Sequence, residues 1–463
     1  MIDGALFASA VFGCLAGSAV GLFAGLVPGL HANNLAQATL ANRAAVLGTV
    51  AVAAAGPLSG HPEGLVAGAG FLFGLALGHS FTDEIPAVFL GAPDPDTALS
   101  VLPGHRLLLA GLGPEAVRAA ALGSLLGVAF CLPLVPLLTW LMGEPLHFYE
   151  AVQPALPFLL VAVAAALILS ETGSTGADGP SPWEAKALAC GVLALSGALG
   201  EVVMFEGVPF ATVLPFGGPA LRSPDYLLAL FAGLFGLPTL FLSIWRPATP
   251  LAAPRAPTIH GHVLRPSRTA RAAGAGTLAG AVFGWLPGVG AAQAATLATL
   301  IQGRAGRGAH DELRSPEAAC EFLVMQSAVG AANLIFNLVA LCVLLRVRSG
   351  TMAAVAEVGG DEPGPLLYPL IVGAVLCLPI CYAGALWLGA GSSKFYARMP
   401  ARKLSMCVAV GLVILIGVLE GTVGLAIAGV ALVLGLVPPL AGIKRVHLMG
   451  AVLLPVAIRL AGA

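Results

Sequence analysis

Charge is what this sequence has least of. Lys, Arg, Asp and Glu make up 10% of its 463 residues, where soluble globular chains carry about 25%. A water-facing surface cannot be assembled from so few charges, so most of the surface must face lipid. The formal net charge of −1 leaves no basic face for nucleic acid. Met1 to Gly13 holds Asp3 and no basic stretch, which does not match a cleaved signal peptide, and the first apolar segment is expected to remain. Metal and redox spacings are missing as well. The eight cysteines (Cys14, Cys131, Cys190, Cys320, Cys342, Cys377, Cys381 and Cys407) lie in apolar runs without a Cys-x-x-Cys pair. Cys377 and Cys381, one helical turn apart, read as small packing residues. His-Glu-x-x-His is absent, and His31, His61, His79, His105 and His147 are scattered. No enzyme, metal site or cofactor is therefore expected.

What the sequence has is apolar length: 58% hydrophobic residues, with 60 glycines and 35 prolines set among Ala, Leu and Val. Both residues are more frequent in transmembrane helices than in soluble ones. A bilayer core of ~30 Å needs about 20 apolar residues in a helix. Long apolar stretches from about residue 5 to 461 predict an all-α polytopic protein of the cell membrane with roughly ten to twelve passes or partial passes. The most polar connection, 246–271, carries Arg246, Arg255, Arg265, Arg268 and Arg271, five prolines and no acid, and reads as a cytoplasmic linker. It separates a first half, 1–245, from a second, 272–463. Lys394, Arg398, Arg402 and Lys403 mark another cytoplasmic loop, and Glu357, Asp361 and Glu362 an external one. The side of the acidic loop 171–186 is open.

The two halves share a motif. Gly17 to Ala36 reads GSAVGLFAGLVPGLHANNLA and Gly276 to Ala295 reads GTLAGAVFGWLPGVGAAQAA. Without gaps, Gly17, Gly21, Gly25, Pro28, Gly29, Ala32 and Ala36 match Gly276, Gly280, Gly284, Pro287, Gly288, Ala291 and Ala295. Glycines every fourth residue lie on one helix face and let another backbone approach. The Pro-Gly step breaks the helix, because proline donates no backbone hydrogen bond and glycine permits a sharp turn. In the second copy the arms 272–286 and 291–302 would reach only about 22 and 18 Å, and basic residues stand at both outer ends. A re-entrant hairpin with its tip at Pro287-Gly288 fits these lengths, and the first copy is assigned one by analogy. The expected fold is thus two inverted-topology repeats with paired re-entrant or broken helices.

Broken helices in a membrane are tolerated where they line a cavity or are buried in protein. Their exposed N–H groups suit an anion, and paired interruptions in two halves point to a transporter's binding site. The candidate binding residues are Pro28, Gly29, His31, Asn33 and Asn34 in the first copy and Pro287, Gly288, Gly290 and Gln293 in the second. The bland alternative is that these polar groups only satisfy the broken backbone. Asp83 and Glu84 interrupt an apolar run that starts at Leu65, and intramembrane acids are usually functional. They either serve a coupling ion or, if Pro86 ends the helix there, sit in water. Asn333 and Asn337, one turn apart, line the cavity or bond between helices. Asp94 and Asp96 read as turn caps, and Glu317 and Glu321 as the start of an amphipathic helix.

The segments Gly21 to Asn34, Gly280 to Gln293, His79 to Gly91 with Asp96-Thr97-Ala98 and Pro103-Gly104, and SPEAA at 315–319 resemble the TctA family, the large membrane subunit of tripartite tricarboxylate transporters. Asn33 and Asn34 after Gly29-Leu30-His31 look like its archaeal-type branch. The resemblance implies uptake of an organic carboxylate coupled to a proton or sodium gradient. It also brings in the partners of the bacterial members, a small membrane subunit and an extracytoplasmic binding protein. Whether this chain uses those partners, or forms a homo-oligomer, is left open. The alternatives are a carrier of a polyprenyl or other lipid-linked phosphate, which the same helix ends would suit, and an intramembrane enzyme.

Overall fold

The structure, a computed structural model, describes residues 4–27, 30–43, 45–55, 62–90, 97, 100–173, 179–206, 226–245, 264–286, 289–301, 315–360, 362–398 and 401–462. Every regular element among them is a helix. The first half holds α1 (Gly4–Ala24), α2 (Ala32–Ala41), α3 (Val46–Ala55), α4 (Pro62–Thr82), α5 (Glu84–Leu90), α6 (Val101–Leu109), α7 (Gly113–Cys131), α8 (Leu134–Met142), α9 (Phe148–Val152), α10 (Leu156–Leu169), α11 (Pro182–Glu201), α12 (Leu227–Phe231) and α13 (Leu237–Trp245). The second holds α14 (Pro266–Phe283), α15 (Ala291–Ile301), α16 (Pro316–Leu344), α17 (Gly350–Gly359), α18 (Leu367–Arg398), α19 (Ala401–Leu419), α20 (Gly421–Ala441) and α21 (Gly450–Gly462). Ten helical segments among the described residues are long and apolar enough to cross a membrane, so this is a multi-pass membrane protein. Most of the linker 246–271 lies outside the described residues. Its last part is already helical, because Arg265 and Pro266 open α14, where proline's missing N–H is not needed.

The glycine ladder sets how the helices pair. A Cβ on Gly17 would collide with the Phe71 carbonyl of α4, and one on Gly21 with the Leu75 carbonyl. The approach is reciprocal, since Gly70, Gly74 and Gly78 of α4 face Ala10, Cys14 and Ser18 of α1. Both series rise together, so α1 and α4 run parallel. In the second half Gly276 meets Met325, and Gly280 meets Val329 and Asn333, so α14 and α16 are parallel too. A chain that leaves one face and resumes from that face must turn back in between. Both interrupted segments are therefore hairpins, although α1, at 21 residues, is long enough to cross the bilayer. Between α1 and α4, α3 is 10 residues long, too short to cross and suited to the return path.

Three further contacts fix the relation of the halves. Gly113, at the start of α7, lies against Phe89, and Ser124 Oγ donates to the Ser80 carbonyl at 3.2 Å, so α7 is antiparallel to α4. Gly123 meets Val324 and Gly127 meets Ala328, so α7 is parallel to α16. It follows that α4 and α16, and with them the two hairpins, point in opposite directions. The halves also exchange partners. While α7 of the first half packs on α16, α18 of the second half packs on α1 through Gly373 beside Cys14 and Gly384 beside Leu22.

Local capping explains where helices begin. Ser181 and Glu184 form a reciprocal capping box on α11. Ser315 accepts the Ala318 N–H at 3.2 Å to open α16, and Glu321 on that helix meets Arg268 of α14 at 3.3 Å. A buried polar clamp joins α10 to the start of α21. Glu171 accepts from His447 Nε2 and from the Lys444 N–H, each at 2.8 Å. Lys444 Nζ donates to the Ser170 carbonyl at 2.6 Å, completing the end of α10. Burial of Glu171 acts to raise its pKa, but the hydrogen bonds from His447 and Lys444 prevail and hold it below the ordinary glutamate value.

Two predictions follow from this packing. Gly17→Leu forces a side chain into a backbone contact that cannot yield. It should destabilise by more than the roughly 1–3 kcal/mol of ordinary overpacking, seen as loss of the monodisperse peak in detergent. Gly191→Ala, with nothing within 4 Å, should leave that peak intact. For orientation, the starts of α14 and α19 carry Arg265, Arg268, Arg271, Arg402 and Lys403, while Glu357 and Glu362 flank the opposite end of α18. With Cys190 and Cys407 replaced, an impermeant maleimide added to right-side-out vesicles should label Glu362→Cys and spare Lys403→Cys.

Candidate anion site between the two hairpins

Each hairpin break is stitched by local bonds. In the first, Val27 donates to Ala24 at 3.0 Å and Leu30 to Val27 at 3.2 Å. His31 then caps α2, its Nδ1 accepting the Asn33 N–H at 3.0 Å. The Leu30 carbonyl is taken up by His79 Nε2 of α4 at 2.7 Å. In the second, Gly284 donates to Gly280 at 2.7 Å, and the Gly290 N–H is accepted by Gln293 Oε1 at 2.9 Å. Gln293 is fully buried, and its side-chain oxygen meets the backbone at the break. Pro28, Gly29, Pro287 and Gly288, and the side chain of Asn34, lie outside the described residues.

The flanks of both breaks meet at one cavity of about 210 Å³, with room for a small organic anion. The first half lends it His31, Asn33, His79, Ser80, Asp83, Glu84 and Thr97. The second lends Gly284, Leu286, Gly290, Gln326, Asn333, Asn337, Arg348, Ser349 and Thr351. His31, Asn33, Gly290, Asp83, Glu84, Asn333 and Asn337 are thus brought together, whereas Gln293 stands behind the wall. Asp83 is a single turn between α4 and α5, and Pro86 falls in the first turn of α5, where it breaks no bond. The helix path continues beyond Pro86, with Glu84 buried in protein and Asp83 half-buried at the cavity. Glu84 is 2% exposed, with Oε1 accepting from Ser100 Oγ at 2.8 Å.

Three helix N-termini open onto this space. They belong to α2, α15 and α17, and Ser349 caps the last by accepting the Met352 N–H at 3.2 Å. Asn33 reaches across the halves, its Oδ1 accepting from Thr351 N–H at 3.0 Å and from Thr351 Oγ1 at 3.1 Å. Partial positive charge from such ends favours an anion. A full charge stands beside them. Arg348 lies 5.1 Å over the Tyr149 ring, and its buried Nε and Nη2 have no hydrogen-bond partner among the described residues. Burial lowers its pKa from the usual arginine value, with Tyr149 opposing, and an arginine stays charged regardless. No apolar period marks Arg348, which sits in the turn after α16; the only signal was Ser349 as a helix cap directly after it. Among the described residues no group of three or more His, Cys, Asp or Glu is placed to hold a metal ion.

Residues 11–450 match the tripartite tricarboxylate transporter TctA family. The chain belongs to that family. Over 235 residues it is also 31% identical to an uncharacterized protein of Methanocaldococcus jannaschii; the match covers 50% of this chain and 46% of that relative, so the chain spans about half the relative's length. No solved structure matches. The family match gives the two Pro-Gly hairpins their context, since TctA proteins belong to a transporter class.

The bridge from Asn33 to α17 is testable by stability. Asn33→Ala strands the Thr351 N–H and should cost about 1–3 kcal/mol, visible as a lowered Tm of the purified protein. Asn33→Asp keeps an acceptor and should lose less.

Proposed function

We propose that this TctA-family protein is a secondary active transporter that takes up an organic carboxylate, with a proton or sodium gradient as the driving force. The observation that carries the reading is Arg348: a half-buried cation whose buried Nε and Nη2 lack hydrogen-bond partners among the described residues, in a cavity onto which three helix N-termini open. A guanidinium's fork of N–H groups matches a carboxylate bidentately, and surrounding N–H groups would take remaining oxygens. The inverted hairpins supply the other requirement of a carrier, a site shared by two elements of opposite orientation. Arg348 follows the end of α16 that lies away from the basic termini, so it fits a site loaded from outside the cell. An extracytoplasmic binding protein and a small membrane subunit are the partners that the family's three-part organisation supports.

The test is uptake of labelled citrate and succinate into proteoliposomes, with and without a candidate binding protein. Arg348→Gln should reduce apparent affinity by roughly 10–150-fold, the equivalent of about 1.5–3 kcal/mol for a hydrogen bond to a charged group. Arg348→Lys should recover part of it, because charge remains but the bidentate fork does not. Transport of neither compound by folded protein, together with stimulated flipping of a polyprenyl phosphate, would move the reading to lipid-linked anions.

A further inference from the structure

The inverted halves can be compared residue by residue at the cavity. Gly17 packs on Phe71 and its repeat partner Gly276 on Met325; Gly21 meets Leu75 and His79, and Gly280 meets Val329 and Asn333. The register on the long helices is the same in both halves, which makes His79 the counterpart of Asn333 and Asp83 the counterpart of Asn337. All four line the one cavity. Where the second half carries two amides that cannot titrate, the first carries an imidazole and a carboxylate 3.8 Å apart (Nδ1 to Oδ2).

We propose that the His79–Asp83 pair is the proton-binding site that couples transport to pH, and that Asn333–Asn337 is its non-titrating pseudo-symmetric partner. The proposal rests on the carboxylate reading for its substrate but not for the existence of the titrating pair.

The geometry narrows where a proton can go. A carbonyl only accepts, so His79 Nε2 carries a hydrogen and donates it to Leu30 O at 2.7 Å. The remaining ring nitrogen, Nδ1, faces Asp83, so an added proton is held between imidazole and carboxylate. His31, whose ring centre is 6.2 Å from that of His79, is already committed: its Nδ1 accepts the Asn33 N–H, and protonating it would undo the cap of α2. Among the described residues the other charged groups sharing the cavity are Glu84, held by Ser100, and Arg348; α16 presents the amides of Gln326, Asn333 and Asn337 and the Ser327 hydroxyl, and α7 presents Ser124 to Ser80. A hard cation prefers a shell of oxygens, whereas here an imidazole nitrogen stands against the carboxylate.

The coupling follows from charge. With the pair unprotonated, Asp83 repels an incoming carboxylate. A proton from the aqueous side to which the cavity opens makes the pair neutral overall and removes that repulsion. By linkage the bound anion then raises the pair's proton affinity by the same factor. Anion affinity should therefore be highest at low pH and fall as pH rises through the pair's titration. His79 also holds the Leu30 carbonyl at the first break, so its proton is registered at a hairpin, not only in the cavity.

Two experiments on the full chain test this. In pH-difference infrared spectra of ligand-free protein in nanodiscs, a protonation transition should vanish in His79→Asn and in Asp83→Asn and persist in Asp83→Glu. A transition unchanged in both asparagine variants overturns the proposal. In the second experiment citrate is the probe. Calorimetry in buffers of different ionisation enthalpy should show proton uptake on citrate binding by the natural protein and none in the H79N/D83N variant. In proteoliposomes that variant should lose proton-driven citrate accumulation by tenfold or more. Accumulation by the natural protein that needs sodium and ignores the proton gradient would overturn the proposal. Absence of citrate binding with the infrared transition intact would count against the substrate reading and for the titrating pair; citrate binding with no such transition would count the other way.

Discussion

A helix that stops inside a membrane leaves N–H and C=O groups that water cannot satisfy, and the rest of this structure is arranged around that constraint. Each unsatisfied group in a dry interior costs several kcal/mol. In the first hairpin the carbonyl of Leu30 is met by His79 and the Asn33 amide of α2 by His31. In the second, the amide of Gly290 is met by Gln293. The side chains that pair the broken backbone are thus polar by necessity. The positive end of each second arm faces one cavity, so the residues that settle the broken backbone also shape the cavity wall.

Close backbone approach is the second condition, because hairpins of this kind hold their position only if they are packed along their length. Lipid offers no hydrophobic drive between helices, so packing and interhelical contact must supply it. Glycines on both α1 and α4 bring the two backbones into direct contact along that seam. The exchange of α7 and α18 between halves then makes each half the support of the other. Neither hairpin rests only on its own repeat, which ties the two breaks to a common frame around the cavity.

The repeat was legible because it is local: four spaced glycines and a Pro-Gly step carry their geometry in one stretch of chain, and the parallel packing of α1 on α4 is a consequence of that spacing. The matching glycines at 70, 74 and 78 are as regular, but only the paired structure shows that they face Ala10, Cys14 and Ser18. Asp83 and Glu84 were undecidable from sequence, since the same Pro86 either ends a helix or starts the next, and the outcome depends on the turn at Asp83. Gln293 lies fully buried with its Oε1 on the Gly290 N–H, a placement that depends on packing its neighbours in sequence do not reveal. Arg348 was invisible for a physical reason. Its role comes from a turn that folds back after α16 and from a ring, Tyr149, some two hundred residues earlier, neither of which leaves a periodic trace.

Arg348 also occupies a mechanically informative place. It precedes α17, and α17 is bound to the first hairpin through Asn33 and Thr351. On its other side, Arg348 lies over Tyr149, whose ring stands edge-on to Trp285 at 6.2 Å between centres, and Trp285 belongs to the tip of the second hairpin. One guanidinium is therefore linked to both breaks, to one by hydrogen bonds and to the other by ring contacts. A carboxylate drawing Arg348 toward itself would shift the balance between those two attachments. A ligand held by Arg348 would therefore act on both inverted halves through contacts already in place, without a separate relay.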